Sequence, residues 1–481
     1  MSMPAAAEAA QHEPARWRPL RGLAREIGPA VQLALPVVAA ELGWMAMGVV
    51  DLVMVGRLGT NAIAAVGLGN IVFFSATVCG IGLMMGLDTL VSQSFGAKRI
   101  DECHRWLIQG AWLAMLCSVP LMLVLWGILP LLAHGGIDPA VVGLSTDYLK
   151  VLVWSTLPLF LYFALRRYLQ AMNITKPAMI ALLAANLLNL FGNWLLIEGH
   201  WGAPRLGVPG SAWSTLISRL GLLAILAWYA LAQSKRDGTG LANTPWQFDI
   251  SRIKQLLKLG GPAAIHFQLE VGVFAVAAVL AGRLGATALA AHEVVLNVAS
   301  VTFMVPFGVA SAGAVRVGQA IGRRDADGAA HAGWAALLLG GGFMACAGLT
   351  MVLIPRAILS VFSAEAAVVA TALPWMVAAA LFQLFDGLQV VGGGALRGAG
   401  NTHAPMYASL TSYWLFGLPV GAALAFPLRF GVVGLWIGLC LGLICAGLFL
   451  LVCWWRTTQR WKTAGVAPVA TEALEAVSHT C

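Results

Sequence analysis

Apolar runs of about 20 residues or more recur along this chain of 481 residues almost from end to end, each long enough to cross roughly 30 Å of hydrocarbon. Twelve spans are expected, near 30–54, 62–88, 107–132, 146–168, 177–198, 208–233, 256–281, 287–313, 330–354, 366–391, 404–427 and 431–455. Lipid offers backbone N–H and C=O groups no partner, so each span must satisfy them internally as a helix. The expected fold class is therefore an all-α integral membrane protein. Composition agrees: a soluble chain carries roughly a quarter of its residues charged, and this one carries 10%.

The net charge of +8 does not point to nucleic acid, because it is sorted by side. If the N-terminus is inside, cytoplasmic segments hold Arg16, Arg25, Lys98, Arg99, Arg105, Arg166, Arg167, Lys176, Lys235, Arg252, Lys258, Arg316, Arg323, Arg324, Arg397 and Arg456. The opposite loops keep mainly Arg57, Arg205, Arg283, Arg356 and Arg429. That is the positive-inside bias of an even number of spans, placing both termini in the cytoplasm of a bacterium and the chain in its inner membrane. Residues 1–26 are polar, and the first apolar run after them is too long and too closely followed by others to be expected as a cleaved signal. The eight cysteines have neither metal-ligand spacing nor an outward cluster, so no disulfide, metal centre or cofactor is expected. No nucleophile–base pair supports an enzyme.

The chain is a duplicated half. With Pro36 set on Pro262, an offset of 226, "GRLG" at 56–59 falls on "GRLG" at 282–285, and Ala64, Ala65, Gln93 and Gly96 fall on Ala290, Ala291, Gln319 and Gly322. After one inserted residue, Met179 meets Met406. The expected organisation is an N-terminal tail 1–26, a first lobe 27–233, a linker 234–255, a second lobe 256–455 and a tail 456–481. Within the linker region, "QFDISRIKQLLK" reads as a short amphipathic helix along the membrane. A working site belongs where two such lobes face each other. Pro36 and Pro262, at equivalent places, are candidate hinges.

A carboxyl at mid-span costs several kcal/mol by insertion scales, so it faces protein or water and marks a functional candidate. Glu41, Asp51, Glu270 and Asp386 fit, with Glu293 nearer a span end; Asp88 and Glu198 lie close enough to the ends to reach the interface. The acids break the repeat, since Asp51 meets Ala277 and Glu270 meets Trp44, which suits specialised lobes. A carboxyl exposed alternately to two sides takes a proton or cation from one and exchanges it for cargo on the other. Asn189 and Asn193, four residues apart on one helix face, are placed to coordinate Na⁺ or bond Asp51, with Asn186 nearby. His266, Gln268, Gln383, Gln389 and Asn297 are candidates for the opposite wall, and Phe267, Phe274 and Phe382 for a face that attracts a flat lipophilic cation.

Taken together, "LALPVVAAELGWMAMGVVDLVMVGRLG", "SQSFGA", "LNLFGNW", "LGGPAAIHFQLEVGVF", "AAHEVVLN", "RVGQAIG" and "LFQLFDGLQVVGGGALRGAGNT" carry a resemblance over about residues 25–455. The chain resembles the multidrug and toxic compound extrusion family in its NorM-like branch. The resemblance implies two pseudo-symmetric six-helix lobes around a central cleft that opens alternately to each side. It further implies export of lipophilic cationic drugs or dyes in exchange for inward H⁺ or Na⁺, by a monomer in contact with membrane lipids. The family's acids map to Asp51, Glu270 and Asp386, and its first-lobe asparagines to Asn189 and Asn193. Glu41, Glu293 and Phe382 depart from common versions of the family. A flippase for a lipid-linked saccharide is the alternative on a related scaffold, disfavoured by the acid-rich interior.

Overall fold

The computed structural model describes residues 18–134, 136–362 and 365–468; Arg16, Cys481 and the outer parts of both tails lie outside them. Among the described residues, twelve helices are long and apolar enough to cross a membrane. They are α1 (Gly22–Gly56), α2 (Thr60–Gly96), α3 (Ile100–His134), α4 (Pro139–Ala171), α5 (Lys176–Glu198), α6 (Val208–Asp237), α7 (Ile250–Arg283), α8 (Ala286–Gly322), α9 (Ala326–Leu353), α10 (Ala366–Gly398), α11 (His403–Ala425) and α12 (Gly431–Ala464). The described residues contain no strand. Many helices outrun the apolar stretch that announces them, mostly at the end carrying the turns near 97–99, 172–175, 323–325 and 399–402, here termed the basic end.

The duplication is visible in backbone detail. Each "GRLG" turn closes with the same two hydrogen bonds, Leu58 N to Val55 O and Gly59 N to Gly56 O, matched by Leu284 N to Ala281 O and Gly285 N to Gly282 O. Gly59 and Gly285 then take φ of 109° and 124°, where a side chain would be strained. At the basic end, Lys98 and Arg324 stand at equivalent positions with φ of 61° and 59°.

In the first half α1 packs on α5, α5 on α6 and α2 on α4; in the second, α8 packs on α9 and α10, and α12 on α10 and α11. The halves meet through α1 against α8 and α2 against α7. Small residues permit both crossings. A Cβ on Gly82 would lie 2.5 Å from the Ala264 Cα, and one on Gly308 would lie 2.9 Å from the Val38 N, and these two pairs are related by the repeat offset. Nearer the basic end, a Cβ on Gly96 would stand 2.1 Å from Gln319 O and one on Gly322 2.1 Å from Gln93 O. The same glutamines bind across the join, Gln93 Nε2 to Gly398 O (3.2 Å) and Gln319 Nε2 to Ala171 O (2.9 Å).

One expectation, about the linker, is revised. "QFDISRIKQLLK" is not a separate in-plane helix: from Ile250 it is the start of α7, capped by Asp249, whose Oδ1 accepts from Ser251 N and Arg252 N. The linker before it is bound to α3, where Gln109 Nε2 donates to Gln247 O (2.7 Å), and the first turn of α7 is bound there too, through Arg252 paired with Glu102 (2.7 Å). At the hinge candidates, α1 runs through Pro36 and α7 through Pro262 without interruption.

Candidate functional site

A cleft of about 360 Å³ lies between the halves. The first half contributes Glu41, Trp44, Phe74, Phe163 and Arg167, and the second Phe267, Glu270, Phe274, Phe303, Phe307, Phe382 and Asp386. Eight of the lining residues are aromatic. Their rings brace one another edge to face, with Phe267 and Phe307 centroids 6.0 Å apart and Phe274 and Phe382 also 6.0 Å apart. Glu270 is 8% and Asp386 5% exposed, so both carboxyls sit among apolar walls. One turn before Glu270, His266 Nε2 stands 3.7 Å from its Oε2, and the other ring nitrogen is 3.2 Å from Ser409 Oγ. Tyr413, buried with its hydroxyl unpartnered, is within electrostatic reach of both acids. It belongs to a π-helical stretch of α11, Leu410–Gly417.

Asp51 occupies a second cavity, about 260 Å³, inside the first half. Its Oδ1 accepts from Asn193 Nδ2 (2.7 Å) and Asn189 Nδ2 (3.0 Å), and its Oδ2 from the Thr215 hydroxyl (2.9 Å). The expected Asp51–Asn189–Asn193 group is therefore assembled as the spacing implied. Asn186 turns away, donating to Gly43 O and Leu182 O. Asn193 Oδ1 is buried with no partner, an oxygen free to meet a cation or a proton bound at this carboxyl.

Arg219 is the residue that a search confined to acids passes over. It is 8% exposed in the middle of α6, lines the Asp51 cavity, donates to Ser155 Oγ (2.5 Å) and lies over the Phe73 ring at 4.7 Å. The signal was present, since an arginine amid an apolar run is as costly as an acid.

Several expectations are corrected. Glu41 is not a free carboxyl: it is ion-paired with Arg166, which is fully buried. Asp88 does not reach the interface but is wholly buried, with its Oδ2 3.4 Å from both Arg167 Nη1 and Arg397 Nε. Arg166, Arg167 and Arg397 therefore do not lie at the surface, because buried acids on neighbouring helices give them partners. Glu293, Gln268 and Asn297 are exposed and lie off the cleft walls. Gln383 instead ties α10 to α8 through Thr302 Oγ1 (2.5 Å), and Gln389 is buried elsewhere in α10 with its amide unpartnered.

Asp88 also serves the join between halves. Its two arginines come from α4 and α10, Arg167 reaches Ser311 Oγ of α8 (2.7 Å), and Thr89 donates to Arg397 O (2.6 Å). The cleft is thus closed toward the basic end. Asp88→Asn is expected to loosen that closure, raising labelling of a cysteine placed at Ser311 by about tenfold, the effect of ~1.4 kcal/mol on an equilibrium. Unchanged labelling would show that the charge does not hold the join.

A family model described as MatE matches the chain twice, over residues 36–195 and 262–423. The two matches begin on Pro36 and Pro262, the register of the internal repeat. Among curated relatives, a Mesorhizobium japonicum protein named probable multidrug resistance protein NorM is 38% identical over 90% of this chain and 94% of its own length. Another of that name from Xanthomonas campestris is 36% identical over 92% and 97%. Among solved structures, the eukaryotic MATE transporter AtDTX14 superposes with a TM-score of 0.81 at 23% identity, covering 91% of this chain and 98% of that one. The fold, the doubled family match and these relatives agree: the chain belongs to the MatE family of multi-pass membrane transporters.

Proposed function

We propose that this protein is a multidrug antiporter that exports lipophilic organic cations in exchange for inward H⁺ or Na⁺ by alternating access. The observation that carries this reading is the cleft between the halves, where Glu270 and Asp386 face a cavity walled by aromatic rings. A flat cation gains stacking and cation–π attraction there, and charge neutralisation from the carboxyls. Asp51, with its asparagines and Thr215, provides a separate ion site in the first half. The relatives named multidrug resistance proteins support the same reading.

In this scheme the basic end faces the cytoplasm of a bacterial inner membrane, with both termini inside, and the monomer is the working unit. The two lobes correspond to 27–233 and 256–455, joined by a cytoplasmic linker. In this scheme a state closed toward the basic end follows the passage of cargo across the membrane. A coupling ion arriving from outside competes with cargo for the carboxyls, promotes its release and accompanies the return step.

The test is ethidium efflux from proteoliposomes under separately imposed H⁺ and Na⁺ gradients. One gradient is expected to drive efflux, and Asp51→Asn and Glu270→Gln each to reduce it by at least about tenfold, a transition-state effect of ~1.4 kcal/mol or more. Undiminished efflux in both variants would remove these acids from the mechanism. Folded protein with no efflux under either gradient would favour the lipid-linked saccharide reading.

A further inference from the structure

A third cavity, about 450 Å³, takes no part in this scheme. It lies at the basic end, and both halves build it: Gln32 from the first turns of α1, Asn173, Thr175 and Lys176 at the entry to α5, Tyr229 of α6, and Arg316 of α8 from the second half. Several of its polar side chains, Gln32, Thr175, Lys176 and Tyr229, make no hydrogen bond among the described residues. Thr175, 6% exposed, precedes α5 but does not cap it, and its hydroxyl has no hydrogen-bond partner among the described residues. The first N–H groups of α5 have no intrahelical partner, and its first turn contains no acid. Lys176 is exposed and makes no ion pair among the described residues. Arg316 gives Nε and Nη2 to Glu26 (3.2 and 2.5 Å), which leaves its Nη1.

An oriented helix start, a free hydroxyl and a free lysine select an anion with several acceptor oxygens, the chemistry of a phosphate. The surroundings narrow this to a lipid. On the same helices, within three residues of lining positions, Val31 (42%), Leu35 (68%), Ile180 (57%) and Trp228 (71%) are exposed. They offer apolar surface on which acyl chains can lie, and an exposed tryptophan is the residue type that settles at headgroup depth. A net positive site at this level favours an anionic phospholipid over a zwitterionic one.

We propose that this cavity binds the headgroup phosphate of an anionic phospholipid, held by Lys176, Thr175 and the start of α5, with Arg316 contributing from the opposite half. Because Lys176 and Arg316 belong to different halves, an occupied site favours the state in which the basic end is closed. The lipid is a regulator of the halves' joining, distinct from cargo in the central cleft.

The full chain, reconstituted in vesicles of equal phosphatidylglycerol and phosphatidylcholine, is extracted and its retained lipid identified by native mass spectrometry. One phosphatidylglycerol is expected to be retained, enriched about fivefold over phosphatidylcholine, with the enrichment lost in Thr175→Val/Lys176→Gln. Lys254→Gln, which removes an exposed basic side chain outside the cavity, is expected to leave retention unchanged. Thermal unfolding of each variant in detergent confirms that it is folded. Equal retention of the two lipids, or an equal loss with Lys254→Gln, overturns the proposal. Displacement of the bound lipid by excess inorganic phosphate also overturns it, by showing a site for the free anion.

Discussion

Gly96→Ala combined with Gly322→Ala is expected to prevent the basic end from closing and to lower efflux by at least about tenfold, a cost of ~1.4 kcal/mol or more to the closed state. Each new methyl group would stand 2.1 Å from a carbonyl oxygen of the other half, Gln319 O or Gln93 O. No rotamer relieves such a contact, because both atoms are fixed to backbone; the helices must separate. Cysteines at Asn173 and Gln319, whose amides lie 3.0 Å apart, report the separation directly. In a background without other cysteines they should crosslink in the parent protein and fail to do so in the double alanine variant. Gly342→Ala, where a Cβ meets nothing within 4 Å, should leave both crosslinking and efflux intact. Undiminished crosslinking in the double variant would show that the join accommodates the methyl groups without opening.

Glu41→Gln is expected to lower folding stability by about 3–5 kcal/mol, the usual consequence of leaving a buried charge without its partner. Arg166 has no exposed surface, and its Nε and Nη1 have no hydrogen-bond partner, so Glu41 is the group that makes its burial tolerable. The double variant Glu41→Leu/Arg166→Met removes both charges and should recover most of the loss, since apolar replacement of a whole buried pair is often neutral or better. Thermal unfolding in detergent separates the possibilities. A Glu41→Gln protein as stable as the parent would show that Arg166 finds another partner. Glu41 also lines the cleft, so comparison of efflux in the double variant with efflux in the parent measures what its charge contributes to transport.

The elements that depend on local pattern were legible in the sequence. Spans follow from apolar length, and the duplication follows from aligned residues such as Pro36 with Pro262 and Gly96 with Gly322. The Asp51 site was legible because Asn189 and Asn193 sit four residues apart on one helix, so a single partner on α1 meets both. Thr215 was not, since its role depends on α6 lying beside α1 and α5, and helix order in space is not written in spacing. Glu41 and Asp88 illustrate the same limit. Both have positions consistent with a coupling acid or an interfacial acid, and only the approach of α4 and α10 reveals that arginines claim them. Charge counting placed Arg166, Arg167 and Arg397 in loops at the basic end rather than in the interior, because it weighs only water and lipid as surroundings and omits a buried carboxylate.

The docked linker has a consequence for how the lobes can move. Residues 238–249 connect α6 to α7, and they are fastened to α3 through Gln109, which bonds Gln247 O and Asp249 N, and His104, whose Nε2 contacts Thr239 O at 3.0 Å. At the opposite corner of the basic end, Glu26 with Arg316 and Asn173 with Gln319 join the halves by side chains alone. One corner is therefore tethered and the other is a clasp. Separation of the halves at this end would be lopsided, like a book bound along one edge, wider at Arg316 and Asn173 than on the α3 side.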